Sequence, residues 1–266
     1  MKRLELFEFE DFGWLPNTIR SGVTNLIKVL HGFMGTSEVL VNLIKQSHER
    51  VAFDQITDLG SGAGGPMIDV VGALNSESDN TTELLLTDKY PNKKAVDNIN
   101  GLAIPFVKYH AESVDAAALD KAPDGLKTMV ASFHHMSPEV AKRIVTSAQE
   151  NREPILIYEI AENNVPFIVW LLLLPISLTI LFLMSWAMTP FVRPLTATQL
   201  IFTYLIPIIP IIYAWDGQAS LMRTYTFNDL KSLIGNDQNP GFNWEMAVAK
   251  RSNGKKAGYY VLGWPG

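Results

Sequence analysis

The sequence predicts an α/β fold: a mostly parallel sheet with helices on both faces, a terminal antiparallel strand hairpin, and an apolar helical hairpin inserted late in the chain. Three observations predict it. Five apolar runs, at 56–59, 83–87, 104–109, 127–133 and 154–160, are each strand-sized. Helix-length stretches follow most of them, at 66–74, 94–102, 114–119 and 137–149. Strand and helix in alternation produce parallel strands joined by crossover helices. Residues 165–188, finally, are 188 − 165 + 1 = 24 positions without a charge.

The chain opens MKRLELFEFEDFG, which turns acidic at once and has no apolar core, so a secretory signal is not expected. After Trp14-Leu15-Pro16, the residues Ile19, Val23, Leu26, Ile27 and Leu30 recur at helical spacing. A second helix is expected from Ser37, as N-cap, to Gln46. Residues 1–50 thus read as a helical lid. The mixture Phe7-Glu8-Phe9-Glu10-Asp11-Phe12 suits either a cover over a ligand or a packed helix edge. Residues 51–164 read as the sheet core. In it, Ser137-Pro138 is an N-cap followed by proline at the first helical position.

The uncharged run 165–188 would reach about 36 Å as a helix, at about 1.5 Å per residue, enough for a hydrocarbon layer. A polar turn at 189–199 contains Arg193. The second apolar run, 200–215, has 16 residues and carries Pro207 and Pro210. That is short of the roughly 20 residues a span needs. Both ends of the segment 165–215 return to one fold, so a re-entrant or half-inserted hairpin is expected. Localisation is expected to be membrane-associated, with the catalytic domain on the cytoplasmic side, although a lone Arg193 gives no orientation by itself. Residues 216–266 complete the core: a helix at 227–234 and strands at 242–250 and 259–264, turned by Ser252-Asn253-Gly254.

Composition narrows the function. Net charge is −5 and no lysine or arginine run occurs, which disfavours a nucleic-acid surface. Cysteine is absent, which excludes disulfides, thiolate metal sites and a cysteine nucleophile. Five histidines without a His-Glu-x-x-His spacing give no expectation of a metal.

The densest signal is Ile56-Thr57-Asp58-Leu59-Gly60-Ser61-Gly62-Ala63-Gly64-Gly65. Glycines between a strand and a helix let backbone approach a ligand closely. Their spacing fits G-x-G-x-G at 60, 62 and 64 and equally the dinucleotide pattern at 60, 62 and 65. Three other features separate the readings. Asp58 stands two residues before the first glycine, where a carboxylate suits a cationic ligand and would repel a pyrophosphate. About fifty residues precede this strand, and an antiparallel hairpin follows the fifth, unlike a simple dinucleotide domain.

On these residues the chain resembles the class I, Rossmann-like S-adenosylmethionine-dependent methyltransferases. DLGSGAGG is similar to their first motif. LLLTDKYP is similar to their second strand, ending in an acidic residue that holds the ribose, here Asp88. That residue lies 88 − 65 = 23 positions past the last glycine. HAESVDA resembles the segment whose acidic residue faces the adenine, with Asp115 the best match and Glu112 the second. TMVASFHHM resembles the motif at the mouth of the transfer pocket. The resemblance covers residues 50–160 well and the terminal hairpin loosely. It implies S-adenosyl-L-methionine as cofactor, held by Asp58, Gly60, Ser61, Gly62, Gly64, Asp88, Lys89, Asp115 and Ser132. The insertion and Trp215-Asp216-Gly217 depart from the family pattern.

His134 and His135 follow the fourth strand and are the candidate catalytic bases, since histidine titrates near neutrality. In an extended segment adjacent side chains point oppositely, so one of the two is expected to pack away from the pocket. If the hairpin meets a bilayer, the acceptor is expected to be lipidic or amphipathic: a quinone, a polyisoprenoid, a headgroup amine or a fatty acid derivative. Two rival readings are a methyltransferase whose insertion caps a soluble apolar substrate, and a non-catalytic scaffold of the same fold.

Overall fold

In the computed structural model of the chain, residues 3–235 and 241–266 are described; Met1 and Lys2, at the start of the expected lid, lie outside them. The chain divides into two compact units. A sheet unit comprises Gly35–Ile160 with Phe227–Gly266, and a helical unit comprises Met1–Met34 with Ala161–Thr226. The units are drawn differently from the four consecutive segments expected from sequence. The second N-terminal helix belongs with the sheet, and residues 216–226 belong with the insertion.

In the sheet unit, α2 (Thr36–His48) precedes β1 (Gln55–Leu59), after which α3 (Met67–Ser76), β2 (Glu83–Thr87), α4 (Lys93–Gly101), β3 (Val107–Tyr109), β4 (Leu126–Val130), α5 (Pro138–Asn151) and β5 (Ile155–Glu159) alternate. The unit closes with α9 (Phe227–Ile234), β6 (Phe242–Lys250) and β7 (Lys256–Pro265). Among the described residues the sheet has seven strands in the order β3-β2-β1-β4-β5-β7-β6. Neighbours from β3 to β5 are parallel, whereas β7 runs antiparallel to both β5 and β6. This is the expected α/β architecture with its terminal hairpin.

The core explains the strand composition. Ile56, Leu84, Leu86, Leu126 and Leu156 are all at most 1% exposed, packed with Val39, Leu40, Val70 and Val71 of α2 and α3. Parallel strands covered on both faces read as continuous apolar runs rather than alternating ones. Helix starts follow their caps: Asn92 Oδ1 accepts from Lys94 N–H, and Ser137 Oγ accepts from Val140 N–H ahead of Pro138.

Two expected elements differ. Ser37 is not an N-cap, because α2 starts one residue earlier, after Gly35 in the left-handed region. Residues 114–119 form no α-helix; a turn of 3-10 helix starts only at Leu119. Val114 and Leu119 are both buried but five apart, which is not a helical face; Asp115 Oδ1 instead accepts Ala117 N–H in a turn.

In the helical unit, α1 (Asn17–Met34), α6 (Phe167–Met188), α7 (Ala197–Leu200) and α8 (Ile208–Arg223) surround a core of Leu15, Ile19, Val23, Leu26, Met188, Val192, Ile209, Ile212 and Tyr213. Continued by one turn, α6 runs Phe167–Phe191 at a mean hydropathy of 2.7, with 6% of its most apolar window buried. By length and composition it is long and apolar enough to cross a membrane. The second run is bent by 77° between Ala197–Leu205 and Ile208–Arg223, at the break that Pro207 imposes. Trp215 and Asp216 have a role within this unit. Trp215 Nε1 donates to Phe7 O, and the Asp216 carboxylate accepts the Phe9 and Glu10 N–H groups, holding the N-terminal segment on α8.

Candidate active site

Strand order places the glycine loop. β1 lies between β2 and β4, whose connections leave in opposite directions, so the carboxyl ends of β1, β2 and β4 frame a topological switch point. Gly60–Gly65 follow β1, Asp88 follows β2, and Ser132 and His134 follow β4.

The loop is held from below. Asp58 is 4% exposed; Ser61 Oγ donates to its Oδ2 at 2.6 Å, and Thr128 Oγ1 donates to its Oδ1 at 2.7 Å. Ser61 Oγ also accepts Thr87 N–H. Both carboxylate oxygens are therefore engaged inside the protein. Asp58 shapes the loop from beneath and does not present its charge at the surface, as sequence reasoning had it do; Ser61 shares that role. Burial pushes the Asp58 carboxyl up to about 6, with the Asp88 charge adding to it and the two hydroxyls pulling it down.

That shift has a sign. The folded pKa lies above the unfolded value of about 3.9, so the folded state holds this proton more tightly. The contribution to stability is fully present below about pH 4 and is lost as pH rises through about 6. Asp58→Asn should remove that slope. Urea midpoints at pH 4.5 and 7 should then fall further in the wild type than in the variant; equal falls would mean that Asp58 titrates normally.

The upper side of the loop is open. Gly60, Gly62, Gly64 and Gly65 all have positive φ. A Cβ on Gly62 would meet nothing within 4 Å, so the loop there faces open space. Asp88 closes one side: its Oδ2 accepts Gly62 N–H at 3.0 Å and its Oδ1 accepts Tyr90 N–H at 2.8 Å. Tyr109 donates from its hydroxyl to Gly62 O at 2.9 Å, and burial, with Asp88 and Asp58 nearby, raises its pKa. Ser132 Oγ lies 3.6 Å from the position of a Gly60 Cβ; it is buried without a hydrogen-bond partner among the described residues.

Of the expected contacts, the structure brings together Gly60, Gly62, Asp88 and Ser132. Lys89 and Asp115 are paired with each other at 2.8 Å on the rim, where the Lys89 hydrogen bond holds the Asp115 carboxyl below its usual range. Gly64 lies against α4: a Cβ there would come 2.8 Å from Ile99 Cδ1. Glu112 is exposed, 4.0 Å from His110 Nε2.

The two histidines are a correction. Phe133–His135 is a turn of 3-10 helix, not an extended segment. Successive side chains there are about 120° apart rather than opposed, and the two rings lie 4.3 Å apart on the same side. His134 is the buried one, 6% exposed. Its ring Nδ1 lies 2.8 Å from Glu159 Oε2, and its backbone N–H donates to Glu159 Oε1 at 2.9 Å. Glu159, 1% exposed at the end of β5, is the residue that sequence reasoning missed. A carboxylate closing the apolar run at 154–160 was the available signal. Its place also depends on Gly258 of β7, at φ +84, whose added Cβ would lie 2.0 Å from Glu159 O.

No family model matches the chain, and no curated protein matches it. Solved structures do. The chain is similar to the plantazolicin methyltransferase BpumL in complex with SAH, at TM-score 0.58 and 10% identity, over 96% of this chain and 92% of that one. The same protein with a monoazolic desmethylPZN analog and SAH gives TM-score 0.54 and 11% identity, over 94% and 89%. At these identities the likeness establishes the fold: that of class I methyltransferases.

Proposed function

We propose that this chain is an S-adenosylmethionine-dependent methyltransferase that works at a membrane surface on an amphipathic or lipidic acceptor. One observation carries the cofactor: an open glycine loop at the switch point, bordered by the Asp88 carboxylate and by the buried, unpartnered Ser132 Oγ. The fold it shares with SAH-bound BpumL supports the same reading. The residues fit the group. Gly60 and Gly62 leave room for it, Asp88 offers carboxylate oxygens to a diol, and Ser132 offers a hydroxyl. Bound there, S-adenosylmethionine supplies an activated methyl group, so the protein's main task is positioning. Calorimetry on the full chain should show binding of S-adenosylmethionine and SAH, and far weaker binding of NAD; NAD binding alone would remove the assignment.

The Glu159–His134 pair extends the reading to the acceptor. With Nδ1–H donating to Glu159, Nε2 is the basic atom of the ring. It can take a proton from an acceptor hydroxyl while the oxygen attacks the methyl carbon.

Membrane association rests on α6. Leu172, Ile176 and Ile180 are 73%, 60% and 58% exposed on an uncharged helix. An apolar surface of this extent marks an interaction site. The wild type should sediment with neutral phosphatidylcholine vesicles. The triple variant Leu172→Glu, Ile176→Glu, Ile180→Lys should stay in the supernatant and keep cofactor binding; a wild type that stays soluble beside vesicles would end the membrane reading.

A further inference from the structure

The membrane reading leaves open whether α6 crosses the bilayer or lies in it, and the helical unit itself decides between them. We propose that α6 lies along the membrane surface, inserted to shallow depth by one face, so that the protein is held by a single leaflet. The inference rests on the membrane reading above and adds its geometry.

Ile168, Leu171 and Leu173 are exposed near the start of α6, and from Leu172 onward the most exposed apolar residues form a line. Leu172, Ile176, Ile180 and Leu183 follow at intervals of four, four and three, which is one stripe of a helix, and each is more than half exposed. The opposite side is turned to protein. There Trp170 Nε1 donates to Gln218 of α8, Ser185 and Met188 are buried, and Leu181 Cδ1 lies 3.3 Å from the position of a Gly217 Cβ. This side of α6 touches the rest of the unit at Trp170, Leu181, Ser185 and Met188.

A crossing needs a belt of about 30 Å free of charge around the unit. The helical unit has none. Its N-terminal half is flanked by α8, which carries Asp216 and Arg223. Its C-terminal half is flanked by α1, whose Ile19, Val23 and Leu26, with the preceding Leu15, share a core with Leu181, Met184, Met188 and Val192. The same α1 carries Arg20 and an exposed Lys28. At the end of the hairpin, Phe191 packs edge-on against Phe33 at 5.2 Å, and Gln199 Nε2 donates to Gly22 O. The turn of the hairpin is thus fastened to a water-compatible helix. If α6 stood upright, Arg20 and Lys28 would be drawn toward the hydrocarbon with it; lying flat, α6 meets lipid with its apolar stripe while α1 stays in water.

The absence of cysteine makes the test direct, since each introduced thiol is the only one in the chain. Leu172→Cys, Ile176→Cys and Leu183→Cys are each labelled with an environment-sensitive fluorophore. The full-length protein is then bound to phosphatidylcholine vesicles brominated at successive acyl positions. A flat helix gives the same shallow quenching optimum at all three sites; a depth that grades from 172 to 183 overturns the proposal. A second measurement uses membrane vesicles of both orientations from expressing cells. Lys28→Cys, Ala197→Cys and, in the sheet unit, Asp79→Cys should all react with an impermeant maleimide from the same side. Reaction of Ala197→Cys from the opposite side to Lys28→Cys overturns the proposal and leaves membrane binding intact. Failure to bind vesicles, with Ile176→Cys instead forming a disulfide between copies, removes the membrane reading and the proposal together. It would assign the stripe to a second copy of the chain.

Discussion

Gly62→Val should abolish binding of S-adenosylmethionine, a loss of at least about a hundredfold. Gly62 sits at φ +53, a conformation that a β-branched residue adopts only with strain of about 1–3 kcal/mol. Its Cβ would project into the open space above the loop, since no protein atom lies within 4 Å to receive it. Strain and obstruction therefore act at the same place. Gly62→Ala separates them: it carries the backbone strain with only one added carbon and should retain weak binding. Calorimetry gives the affinity, and thermal unfolding shows whether the fold persists. Full binding by a folded Gly62→Val variant would place the cofactor elsewhere.

His134→Ala should lower kcat by about 10²–10⁴, the range for loss of a general base, with cofactor affinity unchanged. His135→Ala should cost about tenfold or less, because Glu159 holds the ring and backbone of His134. Removing the imidazole leaves the buried Glu159 with one fewer donor, so a stability loss of about 1–3 kcal/mol is expected alongside. Glu159→Gln tests the pair without that cavity. Glu159 accepts two donors, one on each oxygen. Glutamine has one oxygen and one amide, so either the His134 backbone N–H or the ring faces a donor. The ring can answer by moving its proton to Nε2, which ends its basicity there. Glu159→Gln should therefore lose kcat to a similar degree. Unchanged turnover in both variants would leave positioning alone to carry the reaction.

How much of this was legible follows from sequence distance. β1 with its glycines, Asp88 at the end of β2 and the Ser137-Pro138 helix start are local patterns, and the structure keeps each. The Asp58 orientation was not legible, because its partner Thr128 sits 70 positions away on a neighbouring strand. Glu159 reaches His134 across 25 positions and through a 3-10 turn that no periodicity announces. Grouping α1 with the insertion was out of reach for the same reason. Its apolar spacing shows that it buries a stripe, but not that Ile209 and Tyr213 cover it.

That grouping bears on the birth of the chain. From Leu26 to Ile209 is 209 − 26 = 183 residues, and the core of the helical unit cannot close until both have been made. At about 5–20 residues per second, α1 waits roughly 10–40 seconds for its partner. During that interval its apolar stripe has left the ribosome with no helix of its own unit to cover it, and the uncharged α6 then emerges before α8. A nascent chain of this kind exposes two greasy surfaces in succession, and the one that arrives second is, by length and composition, apolar enough to cross a membrane. Early capture of α6 at a membrane would hold that surface out of water until α8 arrives and lets α1 fold onto the pair.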